Sequence, residues 1–242
     1  MTTSLSRDYF PTTLWSVVKN AGNPQSPMAE SALNELCFRY WGPLFAFAHG
    51  GGATRANAED LVQGFFSHFL QKNYLQDLNR EKGLFRAFLL KCFTNYLCNQ
   101  RKRARCQKRG GGADHLPLDW VNADEKFPSQ LMATGTPERM YDRACAINLL
   151  NRALARLCQE MQTEGKSDRF EALKPSLTVD RNEFDYRAAA NRLKLSEEAT
   201  RTAAMRLRRR YGELIIQEIR ETCGPARLEE EIRWLLNVFS DD

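Results

Sequence analysis

Apolar residues fall at helical spacing along most of this chain, and the strongest run changes character without a break. Phe85, Phe88, Leu89, Cys92, Phe93, Tyr96 and Leu97 keep the i, i+3, i+4 spacing of a buried helical face. Arg101, Lys102, Arg103, Arg105, Lys108 and Arg109 follow directly, then Gly110 to Gly112. The pattern predicts one helix, held in a core at its start and presenting fixed positive charge at its end. Upstream, Leu14, Trp15 and Val18 start an apolar face behind Phe10-Pro11-Thr12-Thr13, where a threonine is placed to cap. Asn20 to Pro27 reads as a loop. Leu33, Leu36, Cys37, Tyr40, Trp41, Leu44, Phe45 and Ala48 hold the next period, which ends at Gly50-Gly51-Gly52. Asn57 is the expected N-cap of a further helix, with Glu59 and Asp60 in its first turn, where carboxylates suit the dipole. Leu61, Val62, Phe65, Phe66, Phe69 and Leu70 form its apolar stripe.

Residues 110–135 hold no period and contain Pro117 and Pro128, which predicts a linker. Thr136-Pro137-Glu138 resembles a helix start, with cap, proline at the first turn and acid next. Ile147, Leu150, Leu154, Leu157 and Met161 carry that helix to about Gly165, and a loop runs from Pro175 to Asn182. Two helices follow, 184–193 and 197–211, joined by Lys194-Leu195-Ser196. Leu214, Ile215, Ile219, Leu228, Ile232, Leu235, Leu236 and Phe239 close the chain. No stretch alternates as a strand does. The expected fold is all-α in two helical domains, 1–112 and 136–242, joined by a flexible linker at 113–135. The second holds a helix-turn-helix at 184–211 and a C-terminal helical extension.

Composition narrows this little. The 242 residues are 43% hydrophobic and carry a formal net charge of +5, which is mild. Its distribution says more: cations cluster at 101–109 and 201–210, while acids collect at 229–231 and at the C-terminus. No apolar run is long enough to span a bilayer, and the N-terminus lacks the apolar core of a signal peptide. Seven cysteines, an odd number scattered through helical segments, read as reduced thiols in the cytoplasm.

The candidate chemistry is binding rather than catalysis. Six cations within 101–109 exceed what dipole capping needs and point to a polyphosphate backbone. Around Lys194, Ala190 is small where two helices cross, Leu193 and Leu195 flank the turn, and Ser196 is placed to cap the second helix. That helix carries Arg201, Arg206, Arg208, Arg209 and Arg210, with Thr200 and Thr202 near its start. Long cations and short hydroxyls suit phosphates and base edges in a major groove. The alternative is a helical hairpin with a solvated arginine face. Cys92, Cys98 and Cys106 lack metal-ligand spacing, His49, His68 and His115 are isolated, and neither glycine triplet continues into Gly-Lys-Ser/Thr. These residues suggest no enzyme, no metal and no cofactor.

Taken together, the chain resembles an extracytoplasmic-function (ECF) sigma factor of bacterial RNA polymerase, in the sigma-70 superfamily. Asn57-Ala-Glu-Asp-Leu-Val-Gln-Gly-Phe-Phe66 is similar to the family's D-A-E-D-L-V-Q-E-x-F, a helix that docks on the clamp-helix coiled coil of the polymerase's largest subunit. The resemblance implies that Glu59, Asp60, Gln63 and Phe66 bind polymerase, with Phe65 and Phe66 dividing between core and interface. Asn95 and Asn99, followed by Arg101, Lys102, Arg103, Arg105, Lys108 and Arg109, look like the family's N-x-x-x-D-x-x-R, which melts and reads the promoter −10 element. Tyr74, in the loop from Asn73 to Leu84, is where the resemblance would place a pocket for an unstacked base. The helix-turn-helix, with Ser196, Glu197, Thr200, Arg201, Thr202, Arg206, Arg208 and Arg209, would read the −35 element. Phe10 to Trp15, Lys108 to Gly112 and Thr136-Pro137-Glu138 are similar to a subgroup with a long spacer.

There are departures from the family pattern. Asn57 and Gly64 stand where Asp and Glu are usual, Asn99 replaces Asp, Lys194 replaces the glycine of the turn, and Thr200 replaces a packed Val. The implied partners are core RNA polymerase and promoter DNA, with an anti-sigma or other regulator as a further one. The implied state is a monomer. Two rivals remain: a stand-alone helix-turn-helix regulator, and an interaction protein with a degenerate sigma fold that binds polymerase or a regulator without initiating.

Overall fold

The computed structural model describes residues 14–23, 25–72, 75, 84–107, 135–180, 182–223 and 225–240, with the backbone alone at 14, 15, 103–107 and 225. The motif at 10–13, Tyr74 and most of its loop, Lys108, Arg109, the glycines after them and the linker through 134 lie outside the described residues. The described elements are helical: α1 (Leu14–Ala21), α2 (Ala29–Gly50), α3 (Arg55–Gln71), α4 (Phe85–Gln107), α5 (Pro137–Thr163), α6 (Ser167–Leu173), α7 (Tyr186–Leu193), α8 (Glu197–Thr222) and α9 (Leu228–Val238). Short 3₁₀ turns follow α6 and precede α9. The fold is all-α, as the periodicity requires. Two compact units emerge, Met1–Cys145 with Glu221–Gly224, and Ala146–Arg220 with Pro225–Asp242.

The first unit is built on aromatic rings. Phe85, Leu89 and Phe93 lie at i, i+4 and i+8 of α4, and each is at most 2% exposed. Phe65 of α3 meets Phe93 at 5.0 Å between centroids and Tyr96 at 5.7 Å, both edge-on, the favoured geometry for ring quadrupoles. α3 starts earlier than the sequence suggests. Thr54 is the N-cap, and its hydroxyl accepts from the Asn57 amide at 3.3 Å. Asn57 is therefore three residues into the helix, and Glu59 and Asp60 lie beyond the first turn.

The start of α5 behaves as its sequence predicts: the Thr136 hydroxyl accepts from the Arg139 amide at 3.4 Å, and Pro137 opens the helix. The first core draws on this helix. Tyr141 is 1% exposed, its hydroxyl donates to the Arg86 carbonyl at 2.8 Å, and Arg86 pairs with Asp142 at 3.1 Å. Burial, first of all, pushes the Tyr141 phenol well above its usual range. The first unit thus runs to Cys145.

In the second unit, Ala153, Leu157, Phe170, Leu173, Ala204, Leu207 and Leu214 form the core. α5 ends where Gly165 adopts φ 68°, with Lys166 N–H bonded to the Met161 carbonyl at 2.8 Å and Gly165 N–H to that of Gln162 at 3.0 Å. This glycine-terminated motif satisfies the last carbonyls of the helix. α6 is not foreseen from the sequence, because seven residues are too few to establish a period. α8 runs to Thr222 rather than Tyr211: Gly212 weakens a helix but does not stop it when Leu214 and Ile219 are buried beyond it. Glu218, also buried, accepts from Arg152 at 2.8 Å and Arg156 at 2.9 Å, tying the end of α8 to α5.

Candidate nucleic-acid interface

Three surfaces carry the residues singled out by sequence. The first is the outer face of α3. Glu59 is half-buried and pairs with Arg55 at 3.1 Å, Asp60 is exposed, and Gln63 is half-buried. Phe65 and Phe66 are 1% and 3% exposed, so both belong to the core. The expectation that Phe66 faces a partner is corrected. With Val62 and Phe69 also turned inward, the i, i+3/i+4, i+7 stripe needs both rings.

The second surface is the distal half of α4. Asn95, Asn99, Arg101 and Lys102 are exposed. Asn95, Asn99 and Lys102 are spaced i, i+4, i+7 and share one face, which exposed Lys91 extends by a turn. Lys91 escapes a reading that starts from the dense run, although its spacing from Asn95 gives it away. The helix continues through Gln107, so Arg103 and Arg105 lie on it; their side chains, like Lys108 and Arg109, are outside the described residues.

The third surface is the turn from α7 to α8. Asp185 caps α7 by accepting from the Ala188 amide at 2.9 Å, so that helix starts at Tyr186 and not at Phe184. At its end Lys194 has φ 54°, and Leu195 and Lys194 donate to the carbonyls of Ala190 (3.1 Å) and Asn191 (3.3 Å). That is the same six-to-one, five-to-two closure as at Gly165, here with a side chain in the left-handed position. The Ser196 hydroxyl accepts from the Ala199 amide at 3.1 Å and so caps α8.

The cations of α8 are not equivalent. Arg201 pairs with Glu197 at 2.6 Å and lies 4.3 Å over the Tyr186 ring. Arg208 points inward, donating to the Ser176 carbonyl at 2.9 Å and the Tyr186 hydroxyl at 3.0 Å. Arg209 pairs with Glu213 at 3.1 Å. Arg210 holds Glu160 at 2.7 Å and Glu213 at 3.0 Å, and the Glu160 contact leads in raising its pKa. Arg206 is exposed, and Thr202 is half-buried; both line a groove of about 630 Å³ between α5, α6 and α8, whose apolar lining includes Leu157, Leu173 and Leu207. Two expectations are corrected. Thr200 is fully buried, with its hydroxyl donated to the Ser196 carbonyl at 3.0 Å, and Arg208 serves the packing of α7 on α8. Neither offers a group to a groove of DNA. Met205, 61% exposed on the outer face of α8, is the residue that polar-minded sequence reading overlooks.

Cys37, Cys92, Cys98, Cys145, Cys158 and Cys223 are free thiols, and burial pushes Cys37 up to about 12. Among the described residues, no group of three or more His, Cys, Asp or Glu is placed to hold a metal ion. None of the described helices is long and apolar enough to cross a membrane.

The described residues make an all-α fold in which α7 and α8 form a capped helical pair across a three-residue turn. The family model described as ECF sigma factor matches residues 49–168, about half of the chain, and the chain belongs to the ECF sigma factor family. Its role is that of a sigma factor in transcription initiation, the family's partners being RNA polymerase and promoter DNA. No curated protein and no solved structure gives a significant match. The matched stretch spans α3, α4 and α5 and ends in α6, before the helix-turn-helix.

Proposed function

We propose that the chain docks on core polymerase through α3, holds the −10 region of the promoter with the distal half of α4, and reads the −35 region with α8. Glu59, Asp60 and Gln63 are the docking residues. Asn95, Asn99, Arg101, Lys102, Arg103, Arg105, Lys108 and Arg109, with Lys91, track the DNA near the start site. Thr202, Arg206, Arg209 and Met205 form the outward surface of α8, where a methionine is suited to the methyl group of thymine. The two units act as two weak binding modules joined in one chain. The observation that carries this reading is α3, which buries Val62, Phe65, Phe66 and Phe69 and leaves Asp60 exposed and Glu59 and Gln63 half-exposed, inside the family match.

One observation favours a second reading, a polymerase-binding interaction protein that does not initiate. Arg201, Arg209 and Arg210 are each paired with a glutamate and Arg208 is turned inward, which lowers the free positive charge on α8. Run-off transcription with bacterial core polymerase on host promoter DNA separates the two. Specific initiation that requires the protein supports the sigma reading; binding without initiation supports the second; no binding overturns the role given to α3.

A further inference from the structure

We propose that Tyr186 is the positioning residue of the helix-turn-helix: by stacking beneath Arg201 it presets that guanidinium as a phosphate clamp on the α7 side of the recognition helix. The proposal rests on the reading of α8 as a DNA-binding helix and deepens it. Tyr186 is 7% exposed, and Phe184 braces it edge-on at 4.9 Å and 84°. Its hydroxyl accepts from Arg208 at 3.0 Å, while Arg208 is itself anchored on the Ser176 carbonyl at 2.9 Å. A ring held by an aromatic neighbour and through its hydroxyl presents a fixed face, and Arg201 lies over that face at 4.3 Å.

Stacking occupies the flat side of a guanidinium and leaves its N–H edge for an anion. Glu197 takes part of that edge at 2.6 Å, through an exposed i, i+4 pair that an approaching phosphate replaces. At 100° per residue, Glu198, Thr202, Met205 and Arg209 share the crest of α8, while Arg201 lies on the flank toward Tyr186. A helix in a major groove meets base edges along its crest and backbone along its flanks. Arg201 is therefore placed for phosphate, and Tyr186 removes the ordering that a free arginine would undergo on binding.

The test is fluorescence anisotropy of the full chain on a labelled duplex of mixed sequence, across a salt series. Arg201→Ala is expected to weaken binding about 5-fold near physiological salt and lower the salt slope by about one. Tyr186→Leu is expected to weaken it about 2- to 5-fold, with no further loss in the Arg201→Ala background. Tyr186→Phe, which keeps the ring, stays close to the parent. If Tyr186→Leu does not fold, Arg201→Lys decides: it keeps the charge and loses the planar stack, and is expected to bind about 2- to 5-fold more weakly. Equal affinity for Arg201→Lys, or equal losses for Tyr186→Leu with and without Arg201, overturns the proposal. Arg206→Ala guards the underlying reading: if it too leaves binding unchanged, α8 does not touch DNA, whereas a loss there with none at Tyr186 sinks only the tyrosine's role.

Discussion

Gly64 stands where the family pattern has glutamate, and packing supplies a reason. A Cβ there would lie 2.5 Å from the Tyr96 hydroxyl and 3.6 Å from the ring carbon that bears it. Tyr96 is held against Phe65 and His68, each 5.7 Å between ring centroids, and its hydroxyl accepts from Gln100 at 2.7 Å. The carboxylate lost from α3 is thus coupled to a tyrosine on α4. Gly64→Ala is expected to destabilise by about 1 kcal/mol, because overpacking outweighs the helix preference of alanine. In a Tyr96→Phe background the obstructing atom is gone and the same change should become neutral or stabilising. Urea unfolding of the four proteins checks this; the same cost in both backgrounds would detach Gly64 from Tyr96. The left-handed Lys194 gives a second prediction at this scale. Lys194→Gly should raise stability by about 1 kcal/mol, since φ 54° burdens any residue with a Cβ. Thermal unfolding measures it, and no gain would mean that the glycine's freedom in the unfolded chain offsets the relief.

Among the elements, α8 depends on ties that are remote in sequence. Burial pushes the Glu218 carboxyl up, but Arg152 and Arg156 outweigh it and hold the group below the ordinary glutamate range. A carboxyl lowered in the folded state stabilises fully above its unfolded pKa and loses that contribution as pH falls through the folded value. The unfolding midpoint is therefore expected to fall on acidification, and Glu218→Gln should flatten that dependence while lowering stability by about 2–3 kcal/mol at neutral pH. A Glu218→Gln protein with the parent's acid profile would remove Glu218 from the account. The same element shows which features a sequence can reveal. Its apolar period depends on neighbours three and four apart and is visible at once, as is Ser196 as its cap; the left-handed Lys194 shows in the sequence only against the family's glycine. The partners of its arginines are not, because Arg210 reaches Glu160 and Arg208 reaches Ser176 and Tyr186 through tertiary packing. Reading Arg208 as a DNA contact fails for this reason, and Thr200 fails because packing buries it completely. α3 fails differently: Asn57 and Thr54 are both competent caps, and the extended backbone at Thr54 (ψ 161°) decides between them.

For the whole molecule, the decisive question is whether docking and DNA binding are separable, as two linked modules require. In the proposed arrangement each contact alone is weak and linkage multiplies them through effective concentration, so the surfaces on α3 and α4 should fail in different ways. Reversing the charge of Glu59 and Asp60 touches side chains outside the core and should abolish polymerase capture while leaving duplex binding and unfolding unchanged. Replacing Arg101 and Lys102 by glutamate, both exposed on α4, should leave capture intact but stop run-off transcription, and should make residual DNA binding less salt-dependent by a slope of about two. Co-precipitation with core polymerase, anisotropy over a salt series and run-off yield, measured on the same three proteins, form a complete test. Loss of polymerase capture in the α4 variant would mean that the basic helix itself contacts polymerase, and the division of labour between α3 and α4 would fall. Retained transcription in that variant would shift promoter opening onto other residues, because a reversed charge beside the phosphates is incompatible with holding them.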